Sequence, residues 1–301
     1  MFASSDVDLG RTNVVQHSIN TGEAPPIQQR PQPIPYCERP KLEVEVHRLL
    51  DADVIQPSSS HWASPIVLVR KKVGNVRMCV DFRKVNLLSK KDCLPLPRLD
   101  ETLDALAGAT YFSSLDVLMG YHQVEVATGD REKTAFVTQL GQFQYRVMPF
   151  RLRNAPATFQ RLMSIVLQGQ LGHICLAYLD DILIFARDFH DHVQRLRLVL
   201  DRLREAGLKL KPSKCKLFRS ETVYLGLRIT EEGVRPDPVS LRALKDWATP
   251  TTAKELSSFL GFVNFYHSQV GHMSEEARVL HEAASAESFE WTYSVRKHSS
   301  P

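Results

Sequence analysis

The chain has 301 residues, 43% hydrophobic and 24% charged, with a net charge of +4; this is the balance of a globular protein with one large domain or two or three small ones. No apolar run approaches the roughly 18 residues of a membrane span, and the opening MFASSDVDLG lacks the basic start and apolar core of a secretory signal. The five cysteines (Cys37, Cys79, Cys93, Cys175, Cys215) lie too far apart for a zinc motif, and their odd number argues against a disulfide framework. They read as reduced, buried thiols.

In chain order, residues 1–40 are polar and proline-rich and are expected to form an extended arm, not a packed unit. Leu42, Val46, Leu49 and Leu50 follow at helical spacing, with Pro57 expected to close the helix. IVLV (66–69) and VRMCVDF (76–82) read as a hairpin turning at Val73-Gly74-Asn75. Leu99, Leu103 and Leu106 mark a short helix ended by Gly108, and TYFSSLDV (110–117) a strand.

AFVTQL and FQYRVMPF read as a second hairpin turning at Gly141-Gln142. Asn154 and Pro156 open a helix with Phe159, Met163, Val166 and Leu167 inward. ICLAYL and ILIFA are two apolar strands separated by Asp180-Asp181, and a long helix then runs to Gly207 with Val193, Leu196, Leu200 and Leu203 inward. Short strands follow in LKLK and VYLGLRIT. Thr252 and Glu255 form a capping box for a helix with Leu256, Phe259, Leu260 and Val263 inward, and residues 270–301 lose periodicity. Strands and helices mix without βαβ alternation, which predicts an α+β fold.

Net charge says little about partners; its distribution says more. Residues 195–219 hold nine Lys or Arg against Asp201 and Glu205, and Arg70, Lys71 and Lys72 form a smaller cluster. Such patches are either solvated faces or, with a second signal, phosphate-binding surfaces. His190 and His192 are two apart on a helix and face different ways.

The segment ICLAYLDDILIFA is the most informative. Adjacent aspartates between buried strands are either an ordinary Asp-Asp turn or a pair neutralised by a hard divalent cation. Asp116, ending its own apolar strand, tilts the balance toward metal. Carboxylates from two adjacent strands can bridge ions about 3.5–4 Å apart, the arrangement that two-metal phosphoryl transfer uses.

SPIVLVRKK, VRMCVDFRKVN, PLPRLDETLDALAGATYFSSLDV, GYHQVEV, KTAFVTQLGQFQYRVMPF, NAPATFQRLM, YLDDILIFA and AGLKLKPSKCKLF, in that order and spacing, resemble the reverse transcriptase of gypsy-class LTR retrotransposons. The resemblance runs from about residue 8 to about residue 268. It implies a right-hand polymerase, with fingers and palm over 41–235 and a thumb over 236–268. Residues 1–40 are similar to the arm joining protease to polymerase; residues 269–301, with FEWT at 289–292, are similar to the start of the connection to ribonuclease H.

The implied activity is RNA-directed DNA synthesis: dNTPs added to a primer 3′-end on an RNA or DNA template. Asp116, Asp180 and Asp181 would hold two Mg²⁺ ions, with Mn²⁺ able to substitute. Lys71 and Arg77 would grip the triphosphate, Tyr121 would lie under the sugar and select deoxynucleotides, and Phe150 would pack on the nucleotide. Asn154, Pro156 and Gln160 would lie along the template, and Leu225-Gly226 would be the primer grip. The implied parent polyprotein carries protease, ribonuclease H and integrase; the implied setting is cytoplasmic, in a virus-like particle, or nuclear, without secretion or a membrane.

Two departures stand out. The family's Leu-Arg-Ser-Gly-Tyr after the first aspartate has Leu118 and Met119 in place of Arg-Ser, and its Met-Pro-Phe-Gly-Leu-Thr reads MPFRLR, with Arg151 at the glycine and Arg153 at the threonine. They leave open a non-catalytic nucleic-acid-binding remnant. An RNA-dependent RNA polymerase is a further rival, against which Tyr121 argues.

Overall fold

The computed structural model describes residues 1–5, 7–70, 76–95, 103–264 and 273–285. The chain divides into two compact units, one of residues 1–98 and 111–219, the other of residues 99–110 and 220–301. Helices and sheets mix in both, as an α+β fold requires. Among the described residues no helix is long and apolar enough to cross a membrane.

The first unit runs β1 (Thr12–His17), α1 (Arg39–Asp51), β2 (Ile55–Pro57), β3 (Ser64–Arg70), β4 (Val76–Val80), α2 (Arg83–Leu88) and β5 (Tyr111–Asp116). It continues with β6 (Val124–Val126), β7 (Phe136–Thr138), β8 (Gly141–Tyr145), α3 (Ala155–Val166), β9 (Cys175–Tyr178), β10 (Asp181–Ala186), α4 (Phe189–Glu205) and β11 (Lys216–Arg219). Its central sheet has the order β11-β5-β10-β9, antiparallel throughout, and a second sheet has the order β2-β8-β7-β3-β4. Five successive residues of β10, Ile182 to Ala186, are buried. That explains an apolar run where a half-exposed strand would alternate.

α4 is amphipathic. Asp188 caps it by accepting the Asp191 N–H at 2.9 Å, and His192, Leu196, Val199 and Leu203 face inward at helical spacing. His192 Nε2 meets Ser113 Oγ of β5 at 2.7 Å, a polar fastener inside an apolar layer. Gly207 ends the helix at φ +70°, where an added Cβ would lie 2.6 Å from the Arg11 carbonyl oxygen.

Several sequence expectations need correction. The proline-rich start is packed: β1 pairs in parallel with β6, Ile19 and Ile34 enter the core, and the buried His17 Nδ1 meets Thr158 Oγ1 of α3 at 2.8 Å. Three apolar or polar anchors outweigh the extended composition. Pro57 belongs to β2, and α1 has already ended at Asp51. The β7–β8 turn is Gln139-Leu140, because Thr138 pairs with Gly141. The expected Leu99–Leu106 helix lies partly outside the described residues, and its described part is a single 3₁₀ turn, Asp104–Leu106.

The second unit holds β12 (Thr222–Tyr224), β13 (Leu227–Thr230) and β14 (Gly233–Pro236) as an antiparallel meander, then α5 (Pro238–Lys245), α6 (Ala253–Asn264) and α7 (Met273–Ser285). The Thr252 cap is present: its Oγ1 accepts the Glu255 N–H at 3.2 Å, while Glu255 reaches back to Thr251 instead. Residues 273–285 were expected to lack periodicity, yet they form α7, whose Leu280 is buried against Leu256 and Leu260.

Burial lowers the pKa of both His17 and His122 to about 4 from an ordinary 6.5. Both stay uncharged in the folded state while the unfolded chain takes up protons below pH 6.5. Their stabilising contribution is therefore complete above pH 6.5 and is lost as pH falls toward 4, by up to about 3 kcal/mol each. Denaturant unfolding followed by Trp62 emission is expected to show stability dropping between pH 7 and pH 5, and His17→Gln to flatten part of that slope. An identical slope in the variant would remove His17 from the account.

A carboxylate site on two paired strands

The site grows from one register. β5 and β10 run antiparallel with Asp116 directly opposite Asp181, and Asp181 also pairs with Tyr178 of β9. The hairpin's two turn residues are thus Leu179-Asp180, not Asp180-Asp181, and Leu179 takes a left-handed φ of +54°. Asp181 begins the strand and Asp180 ends the turn, so one backbone hairpin presents both carboxylates beside the end of β5. The Val117 N–H donates to the Asp180 carbonyl at 3.1 Å, and the Lys211 N–H to that of Asp116 at 2.9 Å.

Desolvation first raises the carboxyl pKa of both Asp180 and Asp181; the Asp116 charge adds to it at Asp180, and the charges of Asp180 and then Asp116 add to it at Asp181. Asp181 is exposed, so water screens part of that repulsion. Lys214 answers it. Its Nζ donates to Asp116 Oδ2 at 2.8 Å, and that carboxylate raises its pKa in turn, with further help from Asp180 and Asp181.

Three hard oxygen donors that repel one another and attract an ammonium suit a divalent cation in chemistry. Among the described residues, however, no three such side chains stand close enough to enclose an ion as they are. Asp116 gives one oxygen to Lys214.

Beside the carboxylates lies an aromatic shelf. Tyr121, on the 3₁₀ turn Gly120–Gln123, stacks on Phe150 at 5.3 Å and 29° and packs against Phe159 at 5.6 Å. Burial and the Asp180 charge push its hydroxyl up to about 12. Phe150 is half exposed. Gly120 is required here, since a Cβ would stand 2.6 Å from Phe159 Cζ.

The other sequence-predicted residues fare differently. Gln160, expected along a template, is only 2% exposed. Its Nε2 donates to the Ala177 carbonyl at 3.2 Å and its Oε1 accepts the Leu179 N–H at 3.0 Å, so it pins the aspartate hairpin from behind. Asn154 does not cap α3 with its side chain; it joins the Asp92 N–H and the Lys90 carbonyl at 3.1 and 2.7 Å. Pro156 sits in the first turn of α3, half-buried. Lys71 lies outside the described residues; Arg77 is in β4 opposite Val69, and its side chain lies outside them too. Leu225 and Gly226 form the β12–β13 turn of the second unit, at φ +51° and +78°.

The basic stretch 195–219 is less open to phosphate than its composition suggests. Arg195, Arg202, Arg204, Lys209 and Lys214 are ion-paired with Asp191, Glu205, Asp201, Asp8 and Asp116. Sequence reasoning missed Lys214 and Gln123. Buried Gln123 donates to the Leu118 and Lys209 carbonyls at 2.6 and 2.9 Å and accepts the Lys209 N–H at 2.8 Å, holding the loop after Asp116. In Lys214's case the signal was present in LKPSK, but only the β11–β5 pairing turns a lysine-rich stretch into a neighbour of Asp116.

The departures acquire a backbone meaning. Arg151 adopts φ +72° and Met119 φ +44°, left-handed conformations that cost a non-glycine residue about 1–2 kcal/mol each. A glycine at 151 would carry no such strain. Leu118 is buried, 2% exposed.

Comparison with known proteins agrees with this fold. Among curated proteins, the chain is 36% identical over 274 residues to the retrovirus-related Pol polyprotein from transposon 297 of Drosophila melanogaster, covering 89% of this chain and 26% of that protein. It is 32% identical over 305 residues to the Pol polyprotein from transposon gypsy of the same fly, covering 99% and 29%. The chain therefore spans about a quarter of the length of these relatives. Among solved structures, a foamy viral protease-reverse transcriptase in complex with double-stranded DNA matches with a TM-score of 0.87 at 27% identity, over 99% of this chain and 53% of that one. A foamy viral protease-reverse transcriptase in complex with an RNA/DNA hybrid matches at 0.84 and 27%, over 99% and 40%. The family model described as reverse transcriptase (RNA-dependent DNA polymerase) matches residues 69–229, more than half of the sequence, and the chain belongs to that family.

Proposed function

We propose that this chain is the polymerase portion of a retrotransposon reverse transcriptase, extending a primer 3′-end with dNTPs on an RNA or DNA template. The observation that carries the reading is the β5–β10 register, which sets Asp116 opposite Asp181 with Asp180 beside them. The relatives' names and the foamy viral complexes support nucleic acid as the partner. A parent polyprotein with protease, ribonuclease H and integrase belongs to the same proposal, as does an intracellular life in a particle or the nucleus.

Asp116, Asp180 and Asp181 are assigned to hold two Mg²⁺ ions, or Mn²⁺ in their place. Such ions, when bound, supply the charge that eases loss of the 3′-hydroxyl proton and departure of pyrophosphate. The protein's own part is positional. Gln160 fixes the hairpin that bears two carboxylates, and Gln123 fixes the loop after the third. Lys214 balances the charge of Asp116 and must loosen its hold if that carboxylate is to take a metal.

Tyr121 and Phe150 are assigned to the deoxyribose and base of the incoming nucleotide. Their stack forms a wall near Asp180, which on this assignment a 2′-hydroxyl would meet. Lys71 and Arg77 are assigned to its triphosphate, Asn154 and Pro156 to the template side, and Leu225-Gly226 to the primer. Residues 41–235 are assigned as fingers and palm, 236–268 as thumb, and 269–301 as the start of a connection.

A second reading, a nucleic-acid-binding remnant without catalysis, is favoured by strain at Arg151 and Met119. Primer extension on an RNA template with Mg²⁺ separates the two. Extension with dNTPs is expected, and Asp180→Asn is expected to slow it by several kcal/mol of barrier, on the order of 10³-fold. Salt-sensitive binding to an RNA–DNA hybrid with no extension would instead establish the remnant.

Tyr121→Ala tests the sugar assignment. Removing the ring is worth about 1–3 kcal/mol of discrimination, so preference for dNTPs over rNTPs should fall roughly 10- to 200-fold. Unchanged selectivity would strip Tyr121 of the role.

A further inference from the structure

Arg151 and Arg153 have no part in the carboxylate site, yet they are held in place. Asn86 of α2 clips their loop from both sides: its Nδ2 donates to the Arg151 carbonyl at 2.8 Å, and its Oδ1 accepts the Arg153 N–H at 2.8 Å. The Arg153 guanidinium lies on the same helix, with Nη1 donating to the Asn86 carbonyl at 3.3 Å. One turn earlier, Arg83 has an 85% exposed side chain. Buried Asp81 takes its Nε and Nη2 edge at 2.7–3.1 Å, a fork-to-carboxylate fit that fixes the plane of the guanidinium and leaves Nη1.

Arg151, Arg83, Asp81 and Asn86 line one open cavity of about 290 Å³, floored by Val80 and Phe82. The Asp81 carboxyl is held below its ordinary pKa by Arg83 and, more weakly, by Arg151, so the three groups share one field.

Two guanidiniums, Arg83 and Arg151, thus share the field of a single carboxylate that Arg83 already occupies, and that of Arg153 lies close by on Asn86. Among the described residues neither Arg151 nor Arg153 has an ion pair, whereas five cations of the 195–219 stretch do. Moreover, Arg151 is kept in a left-handed backbone that glycine would adopt freely. An unpaired, strained cation on a clipped loop, facing a cavity with a second oriented guanidinium, suits an anion with several oxygens.

We propose that Arg83, Arg151 and Arg153 form a phosphodiester-binding fork for a single nucleic-acid strand. Resting on the polymerase reading, the inference assigns that strand as unpaired template ahead of the primer end. Arg83 supplies the oriented edge. Arg151 and Arg153 add two phosphate contacts that glycine and threonine at those positions would lack.

Fluorescence anisotropy tests this with a labelled primer–template, with and without a single-stranded template overhang, across a KCl series. The native chain should bind the overhang form more tightly. Arg151→Gly combined with Arg153→Thr should remove most of that advantage, about tenfold, and lower the log–log salt slope by about 1–1.5, the share of two single-strand phosphates. Binding to the blunt duplex should stay unchanged, and Arg151→Lys should keep much of the advantage.

The melting temperature of Arg151→Gly should hold or rise, since the strain is relieved, so a loss of binding would not be a loss of fold. An undiminished overhang advantage in the double variant, or an equal loss on the blunt duplex, overturns the fork. A native chain that extends primers but gains nothing from the overhang also overturns it and leaves the polymerase reading intact; one that neither binds nor extends sinks both.

Discussion

The whole site hangs on the pairing of two strands. Side chains on a β-strand alternate between faces, so a slip of one residue between β5 and β10 would carry Asp116 to the opposite side of the sheet from Asp181. The register is secured by burial on both strands, from Phe112 and Leu115 on one and Ile182 to Phe185 on the other. Hydrophobic packing therefore decides where the charges stand. The charges themselves oppose the arrangement: burial and mutual repulsion raise two of the carboxyls, and a lysine is drawn against the third.

An arrangement under that tension needs bracing, and the braces surround it. Gln160 ties the aspartate hairpin to α3, and Gln123 ties the loop after Asp116 to residues 118 and 209. Non-glycine residues with left-handed backbone recur in the turns about the site, at Met119, Arg151 and Leu179. Such conformations persist only where the surroundings over-determine them. The polar fasteners and the strained turns are two sides of one design, in which side-chain amides hold backbone that would otherwise relax.

Much of this was legible in the residues. The apolar runs flanking Asp180-Asp181 and preceding Asp116 gave the three strands that matter, because a buried strand writes its burial directly into the sequence. The turn was misplaced by one residue, since adjacent aspartates look like turn formers and only the pairing of Asp181 with Tyr178 decides between them. The arm was misread because proline and glutamine dominate its composition, while its anchors are isolated residues such as His17, Ile19 and Ile34 with partners far along the chain. Gln160 reads as a polar residue on a helix; its burial depends on a hairpin that packs on it. Tertiary pairing, which no local pattern contains, accounts for each miss.

The same logic explains how the chain tolerates its departures from the family pattern. Leu118 stands where an arginine is usual, yet it is buried, its carbonyl accepts from Gln123 at 2.6 Å and its N–H donates to the Lys209 carbonyl at 3.0 Å. The loop is thus held by its backbone, and exchanging a charged side chain for an apolar one removes a charge without releasing the frame. Arg151 makes the converse exchange, adding charge at a position whose backbone is clipped by Asn86 whatever the side chain. Both changes act on the electrostatics that a nucleic acid or nucleotide would meet, and neither touches the strand pairing that aligns Asp116 with Asp181. The strand pairing that aligns the carboxylates and the charges on the surrounding loops are therefore separable in this fold, and both departures fall on the loops.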